Sequence, residues 1–312
     1  ARIMCPMTAY SHKIALHVDA RGDYVLLRDG VPVAPCGFHG ADLVPERLGD
    51  VLDSRIAMVN VDGQLVTQTV LVWEGRDEKT PSNARHSVVI VCTRFARRLQ
   101  AVLLALAHQE GIDAGALEII VGYVPGIDAT DDVLDDVQAR YPNLRVRRIP
   151  FGAGRDRAKG FMINECTTLA SGDWITLLDA DILLPPDYFA RLDALDADAM
   201  FAAPDGRYML SPETTAAILL GEIRPHEDYA ALQQGEYRHR ESLGLPPGFC
   251  QSIRRNVFEE IRYAELDHFE GSDWLFSKQV VDTHGPETRL EGMGVLHLDH
   301  GGSQWYGTGK QR

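Results

Sequence analysis

Two acidic residues one position apart follow a short apolar run near the middle of the chain. Asp179 and Asp181 come directly after residues 174–178, Trp-Ile-Thr-Leu-Leu, which have the length and composition of a buried strand. Because residues i and i+2 of an extended segment point the same way, the two carboxylates can converge on one cation, and Mn²⁺ and Mg²⁺ favour oxygen ligands. The spacing predicts a metal site, with capping of the helix after Pro185-Pro186 as the structural alternative.

The elements around this pair have the pattern of an α/β sheet. Strands are predicted over residues 87–92, 117–121, 144–149 and 174–178, alternating with helices around 99–106 and over 133–141 and 162–170. The continuous apolar run at 87–92 is typical of a parallel strand that is covered on both faces. In such sheets ligands bind beyond the carboxyl ends of the strands, which is where the acidic pair falls.

A shorter, β-like pattern precedes this region. Between residues 13 and 75, apolar segments rich in β-branched residues flank the turn dipeptides Asp29-Gly30 and Asp62-Gly63, which favour hairpins. The polar stretch at 74–83 then has the composition of a linker. We therefore predict a small β-rich module over residues 1–80 and a larger α/β domain over residues 81–312.

Composition and charge exclude several classes of protein. A net charge of −14 disfavours a surface for duplex nucleic acid, which requires clustered Lys and Arg. No run reaches the roughly 20 apolar residues of a membrane span, and the first residues do not form a signal peptide, so we expect a cytoplasmic protein. The five cysteines contain no C-x-x-C pair, which favours reduced thiols; zinc binding by Cys5 and Cys36 with nearby histidines is the minor alternative.

The residues on either side of the acidic pair form a longer motif. Residues 170–189, ASGDWITLLDADILLPPDYF, resemble the Asp-x-Asp segment of the inverting family 2 glycosyltransferases, which have the GT-A fold. The resemblance extends over about residues 85–302. It implies that a divalent metal at this segment binds the diphosphate of a nucleotide-sugar, with Asp181 as a direct ligand and Asp179 contacting the ribose or the metal.

A second segment resembles the acceptor side of the same family. Residues 247–261 contain a glycine turn, and residues 269–276 read FEGSDWLF. In the family the aspartate of a Glu-Asp pair is the general base, and Asp273 occupies the matching position, with Ser272 in place of the glutamate. Such a base takes the proton of the attacking acceptor hydroxyl. Glu270 is the reserve candidate, and capping of the next helix is the structural alternative for Asp273.

Two histidines near the end of the chain complete the predicted metal site. Residues 294–302, GVLHLDHGG, resemble the late histidine segment of GT-A enzymes, in which an imidazole supplements the metal ligands. His297 is the first choice and His300 the second. The tail at 305–312 is interpreted as a lid over the bound donor.

Further residues are assigned to the donor by the same resemblance. Arg155, Arg157 and Lys159 lie in a glycine-containing loop before a predicted helix, where cations offset leaving-group charge. Thr93 is retained from the family's Pro-Thr-Tyr-Asn segment after the first strand, whereas the family's base-binding acidic residue after the second strand is absent. Tyr123 stands near that position and is assigned to stack on the base, and a UDP-sugar is expected as the commonest donor.

The combined expectation is a GT-A α/β fold, with a mixed, mainly parallel sheet flanked by helices and a small N-terminal β-rich module that binds acceptor or a second subunit. The predicted reaction is inverting transfer from a nucleotide-sugar to a hydroxyl of a glycan, lipid, protein or modified nucleobase. Homo-oligomerisation is left open.

Two other functions are kept as alternatives. A metal-dependent nucleotidyltransferase would need a glycine-rich phosphate loop after the first strand, which residues 93–98 lack. A non-catalytic carbohydrate-binding protein on the same fold would be indicated by loss of either metal aspartate, and both are present.

Overall fold

The computed structural model describes residues 84–113, 115–152, 155, 157–239, 248–265 and 271–300, and the backbone of five strands that precede residue 75. The chain divides into two units. One consists of Ala1–Thr80 with Pro150–Gly152, and the other of Pro81–Ile149 with Ala153–Arg312. Residues 75–83 of the predicted linker lie outside the described residues.

The first unit contains a five-stranded antiparallel sheet. Its strands are β1 (Ser11–Val18), β2 (Tyr24–Arg28), β3 (Val31–Pro32), β4 (Val51–Val61) and β5 (Gln64–Glu74). They lie in the order β3-β2-β1-β5-β4, and each neighbouring pair is antiparallel. Two residues separate β2 from β3 and β4 from β5, which is the loop length of tight β-hairpins. The β-rich character predicted for this region is observed, while a separate module over residues 1–80 stays a prediction.

The second unit is built on a mixed sheet. Its described strands are β6 (His86–Cys92), β7 (Leu117–Tyr123), β8 (Arg145–Pro150), β9 (Trp174–Asp179), β10 (Ile182–Leu183), β11 (Phe201–Met209), β12 (Glu236–His239), β13 (Cys250–Arg254) and β14 (Thr288–His297). The order is β10-β14-β11-β13-β9-β6-β7-β8, with β12 paired to β11. β6 is parallel to β7 and β9, whereas β13 is antiparallel to both β9 and β11.

Helices connect and cover these strands. They are α1 (Ala96–Ala107), α2 (Thr130–Arg140), α3 (Lys159–Thr167), α4 (Tyr188–Asp193), α5 (Pro212–Leu219), α6 (Pro225–Leu232), α7 (Val257–Glu260) and α8 (Ser272–His284). α2 begins three residues before the predicted start because Asp128 Oδ1 accepts hydrogen bonds from the backbone N–H and the hydroxyl of Thr130, at 3.1 and 2.6 Å. Within the described part of the chain, no helix combines the length and apolar composition that a membrane crossing requires.

The central strands are buried on both faces. Val88 on β6, Ile119 on β7 and Ile175 on β9 are each 0% exposed, and α3 packs against β6 and β7. This burial explains the continuous apolar runs in the sequence, because neither face of these strands meets water. The predicted α/β class is confirmed.

A buried acidic side chain fixes the turn that leads into β9. Glu118 on β7 is 3% exposed, and its Oε1 accepts hydrogen bonds from Ser87 Oγ at 2.5 Å and from the backbone N and Oγ of Ser171 at 2.6 and 2.7 Å. Ser87 Oγ in turn accepts one from the N–H of Gly172 at 2.8 Å. A Cβ on Gly172 would overlap the backbone of Ser87, so this close approach requires glycine.

Replacement of Glu118 by alanine is expected to lower the free energy of unfolding by about 3 kcal/mol, because it leaves buried donors without an acceptor. Urea unfolding of both proteins measures the difference. Glu222, which is exposed, supplies the control, and Glu222→Ala should change stability by less than about 0.5 kcal/mol. Equal losses in the two variants would contradict a special role for Glu118.

Candidate active site

The pairing of β10 with β14 brings two distant segments of the sequence together. Two residues separate β9 from β10, and the second of them is Asp181. β10 pairs with β14 so that Ile182 lies opposite His297, and the N–H of Leu298 donates to the carbonyl of Asp181 at 2.9 Å. The acidic turn after β9 and the histidine segment at the end of β14 therefore share one end of the sheet.

Asp181 lies beside two imidazoles in an arrangement suited to a metal. Nε2 of His300 is 3.0 Å from Oδ2 of Asp181, and Nε2 of His297 is 3.8 Å from the same oxygen. One ligand atom from each of the three residues lies within 4.8 Å of the others. The sequence left the two histidines as alternatives, whereas the structure places both next to Asp181.

Burial makes this cluster suited to a cation. Asp181 and His297 are 8% and 4% exposed, and neither Oδ1 of Asp181 nor Nδ1 of His297 has a hydrogen-bond partner among the described residues. A buried polar atom without a partner costs free energy, and a cation bound by the Asp181 carboxylate or by Nδ1 of His297 would relieve part of that cost. The three residues therefore fit a divalent metal.

The protonation states favour metal binding as well. Burial lowers the pKa of His297 to about 4, so at neutral pH its ring keeps a lone pair for a metal. Burial acts to raise the pKa of Asp181, but the hydrogen bond from His300 and the neighbouring positive charges outweigh it and hold that pKa below its usual value. A charged carboxylate and a neutral imidazole are the forms that coordinate cations.

Asp179 is engaged by a cation from the chain itself. Its Oδ1 is 2.7 Å from Nζ of Lys159, the first residue of α3. Burial works against the ammonium charge, but Asp179 and Asp273 outweigh it and raise the pKa of Lys159. The three-residue cluster does not include Asp179. The two acidic residues thus divide between a metal-type cluster and an ion pair, whereas their spacing in the sequence predicts one shared cation.

The main chain also brings Asp273 to this end of the sheet. The N–H of Asp179 donates to the carbonyl of Phe249 at 3.0 Å, which fixes the turn before β13. A Cβ on Gly248 would overlap the carboxyl group of Asp273, so the glycine makes room for that side chain. The charge of Asp273 acts on Asp179. Asp273 is the second residue of α8 and not its N-cap, which is Gly271.

A buried series of hydrogen bonds joins α3 to α8 across β13. Asn164 donates from Nδ2 to the carbonyl of Tyr263 at 3.0 Å and accepts the N–H of Tyr263 at 2.9 Å. The hydroxyl of Tyr263 donates to Oε1 of Gln251 at 2.8 Å, and Nε2 of Gln251 donates to Oγ of Ser277 at 2.7 Å. Ser277 Oγ donates to the carbonyl of Asp273 at 2.7 Å. The helix that begins at the ion-paired lysine and the helix that carries Asp273 are therefore held in a fixed relation.

The other residues predicted to bind the nucleotide-sugar donor do not belong to the cluster of Asp181, His297 and His300. The guanidinium of Arg155 lies 4.3 Å from the centre of a phenylalanine ring, Arg157 is exposed, and Thr93 is half-buried directly after β6. Tyr123 is 4% exposed, and its hydroxyl donates to Asp131 at 2.5 Å. Because almost none of that ring is accessible, Tyr123 is not placed to stack on a base, and this assignment is corrected.

Several expectations fall on other parts of the chain. Glu270, the tail at 305–312, and Cys5 and Cys36 lie outside the described residues. Cys92, Cys166 and Cys250 are buried, and none of them forms a disulfide within the described residues.

Three residues that the sequence did not single out border the cluster. Arg98 on α1 and Thr215 on α5 bind the backbone of Asp299 through its carbonyl and its N–H, respectively. Arg207 on β11 contributes a charge that acts to lower the pKa of His297. Contacts of this kind go to main-chain atoms or act through space, so no spacing between residue types predicts them.

The family model described as glycosyltransferase like family 2 matches residues 84–286. This chain belongs to that family. The match covers more than half of the chain and contains Asp179, Asp181 and Asp273, whereas His297 and His300 lie after it. The family assignment predicted from residues 170–189 is confirmed.

Solved structures share the fold of this family member. The mannosyltransferase PcManGT from Pyrobaculum calidifontis, in complex with GDP-Man and Mn²⁺, has a TM-score of 0.50 at 15% identity, over 70% of this chain and 61% of that chain. TarS from S. aureus has a TM-score of 0.51 at 13% identity, over 69% of this chain and 37% of that chain. The predicted GT-A fold is confirmed.

A relative of known activity matches a shorter region. The beta-monoglucosyldiacylglycerol synthase of Synechocystis sp. is 33% identical over 86 residues, which are 28% of this chain and 18% of that protein. The chain spans less than two thirds of the length of this relative and of both solved structures.

Replacement of Asp181 by alanine is expected to abolish stabilisation of the protein by Mn²⁺. When its free concentration is about a hundred times its Kd, a ligand that binds only the folded state raises the free energy of unfolding by about 2.7 kcal/mol. This stabilisation appears as a rise in Tm. Asp187, half-exposed and paired with Arg191, provides the control, since Asp187→Ala should keep the full effect of Mn²⁺. A normal Mn²⁺ response in Asp181→Ala would contradict the metal assignment.

Proposed function

We propose that this chain is an inverting glycosyltransferase that moves a sugar from a nucleotide-sugar to an acceptor hydroxyl with the help of a divalent cation. The supporting observation is the cluster of Asp181, His297 and His300, of which the first two are buried and each have one polar atom with no hydrogen-bond partner in the described part of the chain. Membership of family 2 supports the class of reaction. Such a site suits a sugar nucleotide because its diphosphate departs with negative charge, which a divalent cation can offset.

The side chains around the cluster have separate roles in this reaction. The acceptor hydroxyl attacks the anomeric carbon, the bond from that carbon to the diphosphate oxygen breaks, and Asp273 takes the hydroxyl proton. The ion pair of Lys159 and Asp179 orients the donor at the end of β9, and Arg155 and Arg157 add positive charge from the preceding loop. When bound, the divalent cation offsets the charge that develops on the departing diphosphate.

Mn²⁺ is the cation proposed first, because two of the three candidate ligands are imidazoles. Imidazole suits transition metals, whereas Mg²⁺ prefers sites made of oxygen. The mannosyltransferase with the same fold was solved with GDP-Man and Mn²⁺, which supports a nucleotide-sugar and Mn²⁺ for this chain. A UDP-sugar is the proposed donor as the commonest of the family, and a GDP-sugar is the alternative to be tested.

The acceptor is proposed as a compound with a free hydroxyl. The name of the Synechocystis relative places a glycerolipid among the acceptors to be tested, beside glycans, proteins and modified nucleobases. The module over residues 1–80 is proposed to bind the acceptor or a second copy of the chain.

A thermal-shift panel tests the proposed function. UDP, GDP, CDP and ADP are each added to the full chain with and without Mn²⁺. We expect one nucleoside diphosphate to raise Tm, and to do so only with Mn²⁺, because ligands that bind the folded state stabilise it. The matching sugar nucleotide should then release that diphosphate when acceptors are supplied. Release of pyrophosphate when a nucleoside triphosphate and a sugar 1-phosphate are supplied instead would indicate a nucleotidyltransferase. Stabilisation by free sugars alone would indicate a carbohydrate-binding protein, and either result contradicts the proposal.

Replacement of Asp273 by asparagine is expected to leave donor binding intact and to slow transfer by about a hundred-fold or more, because the amide cannot accept the acceptor proton. Titration of donor into the variant measures binding, and release of nucleoside diphosphate measures transfer. Asp282, which pairs with Lys278 on the same helix, supplies the control Asp282→Asn. Unchanged transfer in Asp273→Asn would remove the base assignment and leave the metal site unaffected.

A further inference from the structure

The main chain that follows β14 is held from two sides. The N–H of Leu298 donates to the carbonyl of Asp181 at 2.9 Å. The N–H of Asp299 donates to Oγ1 of Thr215 on α5 at 2.8 Å, and Thr215 is 3% exposed. These bonds fix the path of the chain up to the residue before His300.

Arg98 on α1 supplies the remaining contact. Its Nε and Nη2 donate to the carbonyl of Asp299 at 3.0 and 2.5 Å. Its guanidinium also lies 5.3 Å from the centre of the Phe95 ring, and the same ring meets the imidazole of His300 edge-on, with 5.4 Å between ring centres. Arg98 therefore reaches His300 by two routes, one through the main chain and one through an aromatic ring.

His300 needs such support more than His297 does. The side chain of His300 is 21% exposed, against 5% for His297. Packing therefore restricts the ring of His300 less, while a three-ligand site requires its nitrogen to point at the same space as the Asp181 oxygen. Groups behind metal ligands that set their orientation commonly change metal affinity by about ten-fold or more.

We propose that Arg98 is a positioning residue of the metal site, which holds His300 toward Asp181 through the Asp299 carbonyl and the Phe95 ring. The inference rests on the proposed function, because it requires the cluster of Asp181 and the two histidines to bind a divalent cation.

Isothermal titration of the full chain with Mn²⁺ tests the inference without any assay of activity. The variants are Arg98→Met, His300→Asn and the double variant, with Arg97→Met as the matched control, since Arg97 is exposed on the same helix. We expect Arg98→Met to weaken Mn²⁺ binding by about ten-fold, and Arg97→Met to leave it unchanged. Arg98→Lys should fall in between, because an ammonium group can keep one hydrogen bond to the carbonyl.

The double variant separates positioning from a general structural effect. If Arg98 acts through His300, Arg98→Met adds no further loss once His300 is asparagine. A further loss of about ten-fold in that background, or affinity within about two-fold of wild type for Arg98→Met alone, overturns the inference. If wild type itself fails to bind Mn²⁺, the proposed metal site fails and this inference fails with it.

A second variant covers the case in which Arg98→Met does not fold. Thr215→Val keeps the shape of the side chain and removes the acceptor of the Asp299 N–H, so it loosens the same segment from the other side. We expect Thr215→Val to weaken Mn²⁺ binding in the wild-type background. In the His300→Asn background, Thr215→Val should cause no further loss of Mn²⁺ affinity. If Thr215→Val lowers Mn²⁺ affinity equally in both backgrounds, the Asp299 segment does not act on the metal site through His300, and the inference is overturned.

Discussion

The pairing of β10 with β14 is the contact on which the site depends. β10 has only two residues, yet its register decides which side chain of β14 reaches the acidic turn, because a shift of one residue would turn His297 to the opposite face of the sheet. α6 reinforces the pair, since the hydroxyl of Tyr229 lies 3.1 Å from the carbonyls of both Leu183 and Gly294. The position of the two-residue strand β10 is thus also held by a side chain of α6.

The division of the two acidic residues has an electrostatic consequence. With Asp179 paired to Lys159, the candidate metal ligands are one carboxylate and two imidazoles. A divalent cation held by one carboxylate and neutral imidazoles would keep part of its positive charge, whereas two carboxylates would cancel it. The retained charge would be available to a diphosphate. In the proposed reaction, Lys159 would therefore do more than neutralise Asp179, because the ion pair would leave the cation more positive charge to act on the donor.

The sequence was informative where function depends on residue type and short spacing. The run that forms β9, the acidic pair after it and the two histidines were all recognised in the sequence, because each lies in a contiguous motif, and the metal-binding role of these residues stays a prediction. The sequence did not show that Asp179 would pair with Lys159, since that contact depends on where α3 begins. It also missed Arg98, whose partner is a main-chain carbonyl 201 positions away. The stacking role of Tyr123 was wrong because the ring packs into the core and its hydroxyl meets Asp131.

The proposed metal side and the proposed base side of the candidate site are both attached to β9, but in different ways. On one side the chain continues directly into the turn that carries Asp181. On the other, β13 pairs with β9, and the side chains of Gln251 and Ser277 transmit its position to the helix of Asp273. A buried polar series of this kind is favourable only when every member finds its partner, and it then permits fewer arrangements than an apolar contact of the same size. The distance between Asp273 and the cluster is therefore set by hydrogen-bond geometry, which suits the proposed inverting transfer, in which acceptor and leaving group lie on opposite sides of one carbon.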